Sequence, residues 1–257
     1  MMINQFIEEW VEDGVLHVLL NMPETFNQME PGLAAELSQS ARSVWDREEI
    51  RAVVLGGRGP HFSSGIDRHL EADDECFNAL TLACQAIEDW ARIPCPVVMA
   101  LHGHTSSLGF SLACVADIRF AEKDVQFLVP EIQAGLVPAG GITQRLPRLI
   151  GKGPAMGILL GGETFYGPEA IELGFINKPF SKETLWHEAC KEAKKLAANS
   201  SLAMRFAKEC LLRGSELSLE QALRLELDMY MLLQTSEDRM EGVDAFLNKR
   251  HPVFKGR

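Results

Sequence analysis

The chain has 257 residues, of which 46% are hydrophobic and 24% charged. That is enough apolar surface to offset the entropy of ordering one large domain, or a domain with an appendage, and it argues against disorder. Its 25 Lys and Arg stand against 36 Asp and Glu, a formal charge of −11, which repels polyphosphate and anionic lipid and disfavours nucleic acid and membrane as partners. A phosphorylated small molecule held by local backbone dipoles stays compatible with that charge. Apolar runs such as Pro96–Leu101 are too short to cross a bilayer, and Met1-Met2-Ile3-Asn4-Gln5 lacks the basic and apolar segments of a signal peptide. Six cysteines, Cys76, Cys84, Cys95, Cys114, Cys190 and Cys210, are scattered with no Cys-x-x-Cys pair. They read as free thiols in a reducing cytosol, so the expected location is cytoplasmic and neither a disulfide frame nor a metal site is expected.

In chain order, Asp13-Gly14 is a turn dipeptide between Phe6–Val11 and Val15–Leu20 and predicts an opening hairpin. Pro31 stands where a helix can start, and Leu33, Leu37, Ala41 and Val44 follow at helical spacing. Arg51–Leu55 is a β-branched run that reads as a buried strand, and Gly56-Gly57-Arg58-Gly59-Pro60 after it reads as loop. A second round follows, with a helix over Ala79–Arg92, a strand over Pro96–Leu101 and a small-residue loop over His102–Gly109. A third takes a strand at Asp117–Ala121, a loop through Glu131 to Gly141, and a helix near Thr143–Leu149. Strands alternating with helices predict an α/β class built of βα units.

Beyond Lys182 the pattern turns helical, over Glu183–Ala198, Leu202–Arg213 and Leu219–Leu233. In the last of these Leu219, Ala222, Leu223, Leu225, Leu227 and Met231 spread apolar surface around much of the helix. Such a helix either packs on the parent domain or forms a subunit interface. Lys191, Lys194 and Lys195 are interspersed with Glu188 and Glu192, the pattern of a solvated helix face.

Two loops share a design: His61-Phe62-Ser63-Ser64-Gly65-Ile66-Asp67, and His102-Gly103-His104-Thr105-Ser106-Ser107-Leu108-Gly109-Phe110-Ser111. Each follows a strand, is rich in small residues and leads into a helix. Small residues there either permit tight turns or expose main-chain N–H groups to a ligand. Two converging N–H groups would form an oxyanion hole, in which a single donor is worth roughly 3 kcal/mol. Glu131 stands in Val129-Pro130-Glu131-Ile132, a carboxylate among apolar residues. Burial disfavours the charged form of a carboxyl and suits it to proton transfer. The alternatives are a salt bridge to Arg145 or Arg148, or a carboxylate at a helix start. His102-x-His104 lacks a third nearby metal ligand, and the scattered methionines read as core or interface filler.

Taken together, these segments resemble the enoyl-CoA hydratase/isomerase (crotonase) family. Arg51–Leu55 leading into Phe62–Asp67 is similar to its first oxyanion motif and Leu101–Asp117 to its second. Pro130-Glu131-Ile132 through Arg148, with Gly151-Lys152, is similar to the segment around its second catalytic glutamate. Leu20-Asn21-Met22-Pro23…Asn27, Ala170–Gly174 and Glu241-Gly242…Phe254-Lys255 extend the resemblance over nearly the whole chain.

The resemblance implies a crotonase-like α/β spiral of ββα units over residues 1–195, followed by a C-terminal helical region, 196–257, that assembles a homotrimer or a dimer of trimers. It implies an acyl-CoA thioester as substrate and partner, with coenzyme A part of the substrate and no separate cofactor or metal. The oxyanion donors fall on the N–H groups of Ile66 and Leu108, and the acid/base on Glu131. Phe62, Ser63, Ser64, Gly65 and Gly109 fall at the CoA and substrate site, with the adenine near the backbone of Ser63 and Ser64. Phe254 and Lys255 fall where a neighbouring subunit's CoA would be reached. His69 stands where relatives often carry a phosphate-binding Lys, and Asp67 and Asp117 fall at capping positions.

Two departures bear on the chemistry. Hydratases of the family carry two glutamates, and the position of the first is Ser111. A hydroxyl cannot replace a carboxylate as acid/base unaided, so the pattern is that of a Δ3,Δ2-enoyl-CoA isomerase with one base. The acidic residue of dienoyl-CoA isomerases, eight places beyond the glutamate, is Ala139 here. The alternatives are 2-enoyl-CoA hydration, another acyl-CoA decarboxylation or hydrolysis, and binding without turnover. The second departure is Ser107-Leu108-Gly109 in place of a glycine triplet: Leu108 keeps its N–H, and its side chain either turns away from the thioester or narrows the acyl pocket.

Overall fold

A computed structural model describes residues 5–66 and 74–257; the expectations for Asp67 and His69 lie outside the described residues. The hairpin forms as β1 (Ile7–Glu12) and β2 (Val15–Leu20), with Asp13 and Gly14 both at positive φ in the turn. Helix α1 (Pro31–Ser43) starts on Pro31, whose missing N–H is no loss in the first turn. Then come β3 (Ala52–Gly57), α2 (Asp74–Ala91), β4 (Val97–Leu101), β5 (His104–Ser106), α3 (Leu108–Ala113), β6 (Ile118–Glu122) and β7 (Gln126–Leu128). Next are α4 (Ile142–Ile150), α5 (Lys152–Gly161), β8 (Phe165–Tyr166), α6 (Gly167–Glu172) and β9 (Lys178–Phe180). The chain ends in α7 (Lys182–Ala197), α8 (Ser201–Gly214), α9 (Leu219–Leu233) and α10 (Glu237–Leu247).

The larger sheet runs β1-β2-β3-β4-β6-β9, antiparallel at the hairpin and parallel from β2 onward. Its central strands are buried on both faces, as parallel strands covered by helices must be. Val53, Leu55, Val97, Met99 and Leu101 join the α1–α2 side of the core, around Trp90, Leu33 and Leu37. The alternate residues Ala52, Val54, Val98 and Ala100 pack against Leu185, Ala189, Ala193 and Ala197 of α7. This alternation is the two-residue period of a strand read on both sides.

Two loop expectations need correction. Gly56 and Gly57 are the end of β3, paired with Leu19 and Leu20, and are not loop. Glycine is used there because neighbours leave no room: a Cβ at Gly56 would strike the Trp186 ring of α7, and one at Gly57 would lie 2.9 Å from the Phe62 carbonyl oxygen. The small-residue stretch after β4 is likewise not all loop. It contains β5, which pairs in parallel with β7, and β7 pairs antiparallel with β8 in a second, three-stranded sheet. Strands of two or three residues leave too little periodicity to read from sequence.

The C-terminal helices contrast with this core. Neither α8 nor α9 has a buried residue, and Leu219, Leu223, Leu227, Tyr230, Met231 and Leu232 of α9 are all exposed. Helix α9 rests on α8 and leaves that apolar face uncovered within the chain. Among the described residues, no helix is long and apolar enough to cross a membrane.

Candidate active site

Loops that leave the C-terminal ends of parallel strands build the ligand crevice of open α/β sheets, and here those after β3 and β4 run side by side. Ser63 and Thr105 form a parallel bridge; Phe62 N–H donates to the His102 carbonyl (2.9 Å), and Ser106 N–H donates to the Ser63 carbonyl (2.9 Å). Ile66 and Leu108 each stand three residues beyond this matched pair, so the register carries both main chains to the same end of the crevice. Leu108 opens α3, where no preceding turn supplies an acceptor for its N–H. Among the described residues, no main-chain carbonyl accepts from the N–H of either Ile66 or Leu108.

Two glycines set how closely the loops cross. A Cβ on Gly65 would run into Ser107 and the Ser106 carbonyl, and one on Gly109 would lie 2.7 Å from the Ser63 Cβ. Each loop thus presents a glycine where the other presents a serine. Asn27, fully buried, fixes the first loop from behind. Its amide donates to the carbonyls of Arg58, His61 and Phe62 at 2.9–3.0 Å, while its carbonyl accepts from Met22 N–H. Sequence reasoning noted Asn27 only within a family-like stretch; the organising role of its side chain was missed, and no periodicity signals it.

Glu131 sits just past β7, 7% exposed, at the start of a 3-10 turn (Ile132–Ala134). Its main-chain carbonyl accepts from Ala134 and Leu136 N–H, which pins the backbone. Its Oε2 is buried without a hydrogen-bond partner among the described residues. The salt-bridge alternative does not hold: Arg145 pairs with Glu88 and Arg148 with Glu216. An unpaired buried carboxylate oxygen is costly and calls for a functional account.

Ser111, almost fully buried, is already engaged. Its Oγ donates to the Ala139 carbonyl at 2.7 Å and lies 3.3 Å from the Ser107 carbonyl. It therefore anchors the loop before α4, and Arg145 adds a second hold by donating to the Gly140 carbonyl (2.9 Å). Leu108 is buried with the core, its Cδ2 3.1 Å from where a Gly140 Cβ would be, beside Ile87.

Of the other expected positions, Phe62 is a core side chain, and Ser63 is buried with its Oγ donating to the Asn27 carbonyl (2.7 Å). Ser64 is half-buried on the same loop. Phe254 and Lys255 lie among the C-terminal helices, with Phe254 half-buried beside Gly242 and the Lys255 N–H donating to buried Asp238. Asp117 accepts from Val97 N–H and from Lys208, tying β4 to α8. The loop histidines serve the scaffold: His102 Nε2 meets the Gly59 carbonyl, and His61 Nδ1 accepts from His104 N–H. Burial pushes the imidazoles of His61 and His102 below their ordinary value. Among the described residues, no group of three metal-ligating side chains forms, and Cys84, Cys95, Cys114, Cys190 and Cys210 form no disulfide.

The sequence pattern of the enoyl-CoA hydratase/isomerase family matches residues 11–257. The chain is 33% identical over 249 residues to the 2,3-dehydroadipyl-CoA hydratase of Escherichia coli K12, covering 96% of this chain and 97% of the relative. It is 32% identical over 260 residues to the 1,2-epoxyphenylacetyl-CoA isomerase of the same organism, covering 98% and 99%. The crystal structure of an enoyl-CoA hydratase from Bacillus anthracis superposes with a TM-score of 0.95 at 29% identity, covering 98% of this chain and all of that one. With matching loops, fold and full-length coverage, the chain belongs to the enoyl-CoA hydratase/isomerase (crotonase) family and is an enzyme of that family.

Proposed function

We propose that the protein is a Δ3,Δ2-enoyl-CoA isomerase with Glu131 as its single acid/base. The observation that carries the reading is the contrast between two side chains: Glu131 is buried with a carboxylate oxygen that has no partner among the described residues, while Ser111 is engaged with Ala139. In this reading the thioester oxygen accepts hydrogen bonds from the N–H groups of Ile66 and Leu108. Those donors favour the enolate over the neutral thioester, which is the charge development that accelerates the step. Glu131 removes a proton from C2 of the 3-enoyl chain and returns it at C4, leaving the double bond conjugated with the carbonyl. The reaction needs no cofactor beyond the CoA carried by the substrate. The uncovered face of α9 supports assembly into trimers or dimers of trimers.

Purified protein with 3-hexenoyl-CoA should give rising conjugation absorbance, and with crotonyl-CoA little change. The hydratase names among the relatives favour one second reading, addition of water to a 2-enoyl-CoA. Rapid loss of crotonyl-CoA absorbance, with no conjugation of the 3-enoyl substrate, would establish that reading instead.

A further inference from the structure

We propose that Ser107 is a covalent nucleophile and that the same cleft cleaves acyl-CoA thioesters through an acyl-serine intermediate. The inference rests on the reading of the cleft as an acyl-CoA site, but not on the isomerase chemistry.

Ser107 is the single residue between β5 and α3, at φ 53° and ψ −124°. That combination is normally left to glycine and strains a residue that carries a side chain. The backbone is held there from both sides. Ser107 N–H donates to the Leu128 carbonyl (2.9 Å), and the Ser107 carbonyl accepts from Ser111 N–H (3.0 Å). The hydroxyl, in contrast, has no partner among the described residues, although Ser107 is only 4% exposed. The chain thus maintains a strained serine whose main chain is satisfied and whose Oγ is left free.

A serine on a sharp strand-to-helix turn, with the next residue's N–H and an N–H from another loop as oxyanion donors, is the arrangement of serine acyl-transfer enzymes. Here the next residue is Leu108 and the other loop brings Ile66. Gly65 lies against Ser107, with its notional Cβ 2.9 Å from Oγ, so the hydroxyl sits beside the peptide that leads into Ile66. The base comes from the neighbouring strand: β7 both receives the Ser107 N–H at Leu128 and leads, three residues on, to Glu131.

In the first half-reaction Ser107 Oγ bonds to the thioester carbon while its proton passes to the Glu131 carboxylate. The carbonyl electron pair moves onto the oxygen held by Ile66 and Leu108. Collapse breaks the C–S bond, Glu131 returns the proton to sulfur, and free CoA thiol departs from acyl-Ser107. Water then adds to the ester with Glu131 again taking the proton, the C–Oγ bond breaks, and Oγ is reprotonated as the carboxylic acid leaves. One water is consumed and nothing is oxidised or reduced.

Hexanoyl-CoA tests this directly, because it has no double bond to move. Incubated with the full chain, it should release CoA, separated from protein and measured by chromatography. Acid-quenched protein should carry one acyl group on the peptide that contains Ser107. Ser107→Ala and Ser107→Gly should each lower CoA release roughly 10³-fold and abolish the adduct. The glycine variant should melt no lower than the parent, since it relieves the positive φ. Ser40→Ala, which removes a buried hydroxyl on α1 away from the two loops, should leave CoA release unchanged. Release that persists in both Ser107 variants, or a parent protein that neither releases CoA nor carries the adduct, overturns the proposal. A parent that conjugates 3-hexenoyl-CoA but leaves hexanoyl-CoA intact sinks this inference alone; the reverse result sinks only the isomerase reading.

Discussion

The sheet-and-loop half and the C-terminal helices use apolar residues in opposite ways. In the first half, β2, β3 and β4 are buried on both faces, and the buried polar atoms without a partner among the described residues, Thr105 Oγ1, Ser107 Oγ, Glu122 Oε2 and Glu131 Oε2, all lie on its strands and loops. In the second, α8 and α9 bury no residue and display large aliphatic side chains. The contrast teaches that the two halves are stabilised against different surroundings. The first closes its sheet core within one chain, although Trp45, Phe77, Val137 and Leu160 stay exposed there, and the second has a continuous apolar helix face that only another surface can cover.

The largest effect should separate chemistry from stability within the first half. Glu131→Gln should lower the conjugation rate with 3-hexenoyl-CoA by about 10²–10⁴-fold while the melting temperature holds, since no hydrogen bond to the Glu131 side chain is lost among the described residues. A matched fall in both would mean that the carboxylate is structural. Next, Trp90→Ala should cost about 3–5 kcal/mol in denaturant unfolding, because the ring is fully buried and its Nε1 donates to the Leu37 carbonyl. Leu223→Glu on α9 should change monomer stability by only about 0.5 kcal/mol yet shift the sedimentation coefficient to that of a single chain. If Leu223→Glu unfolds the isolated chain as Trp90→Ala does, the contrast between the halves fails.

Smaller again is Ser111→Ala, expected to cost about 1 kcal/mol through the lost bond to Ala139, read from the denaturation midpoint. The weakest effect is in acid. Burial holds His17, His61 and His102 below the ordinary imidazole value of 6.5, so below that pH the unfolded chain binds more protons than the folded one. Their contribution is complete above 6.5 and declines as pH falls beneath it, and His102→Asn should flatten that first decline in melting temperature. In the helical half, the Arg250 guanidinium holds Glu241 down to about 2. Its contribution is present above the ordinary carboxylate range and is lost only as pH falls from there toward 2. These imidazoles and the Glu241 carboxyl therefore titrate in separate windows.

Much of this architecture was legible in the residues. The hairpin turn, the Pro31 helix start and the β-branched runs each state a local physical preference, and the structure honours them. What stayed hidden depends on neighbours distant in sequence. Gly56 and Gly57 read as loop because the Trp186 ring and the Phe62 carbonyl that exclude side chains there lie elsewhere in the chain. The short strands β5, β7 and β8 take their identity from each other and not from their own period. Glu131 was legible as a candidate, but its free Oε2 was not, since that required knowing that both nearby arginines pair elsewhere.

The interlocked crossing of Gly65 over Ser107 and Gly109 over Ser63 limits how the enzyme can be redesigned. Any side chain added at either glycine acts as a wedge that drives the loops apart, so that wall offers an engineer no adjustable position. Libraries aimed at longer or branched acyl groups should therefore leave the two glycines fixed.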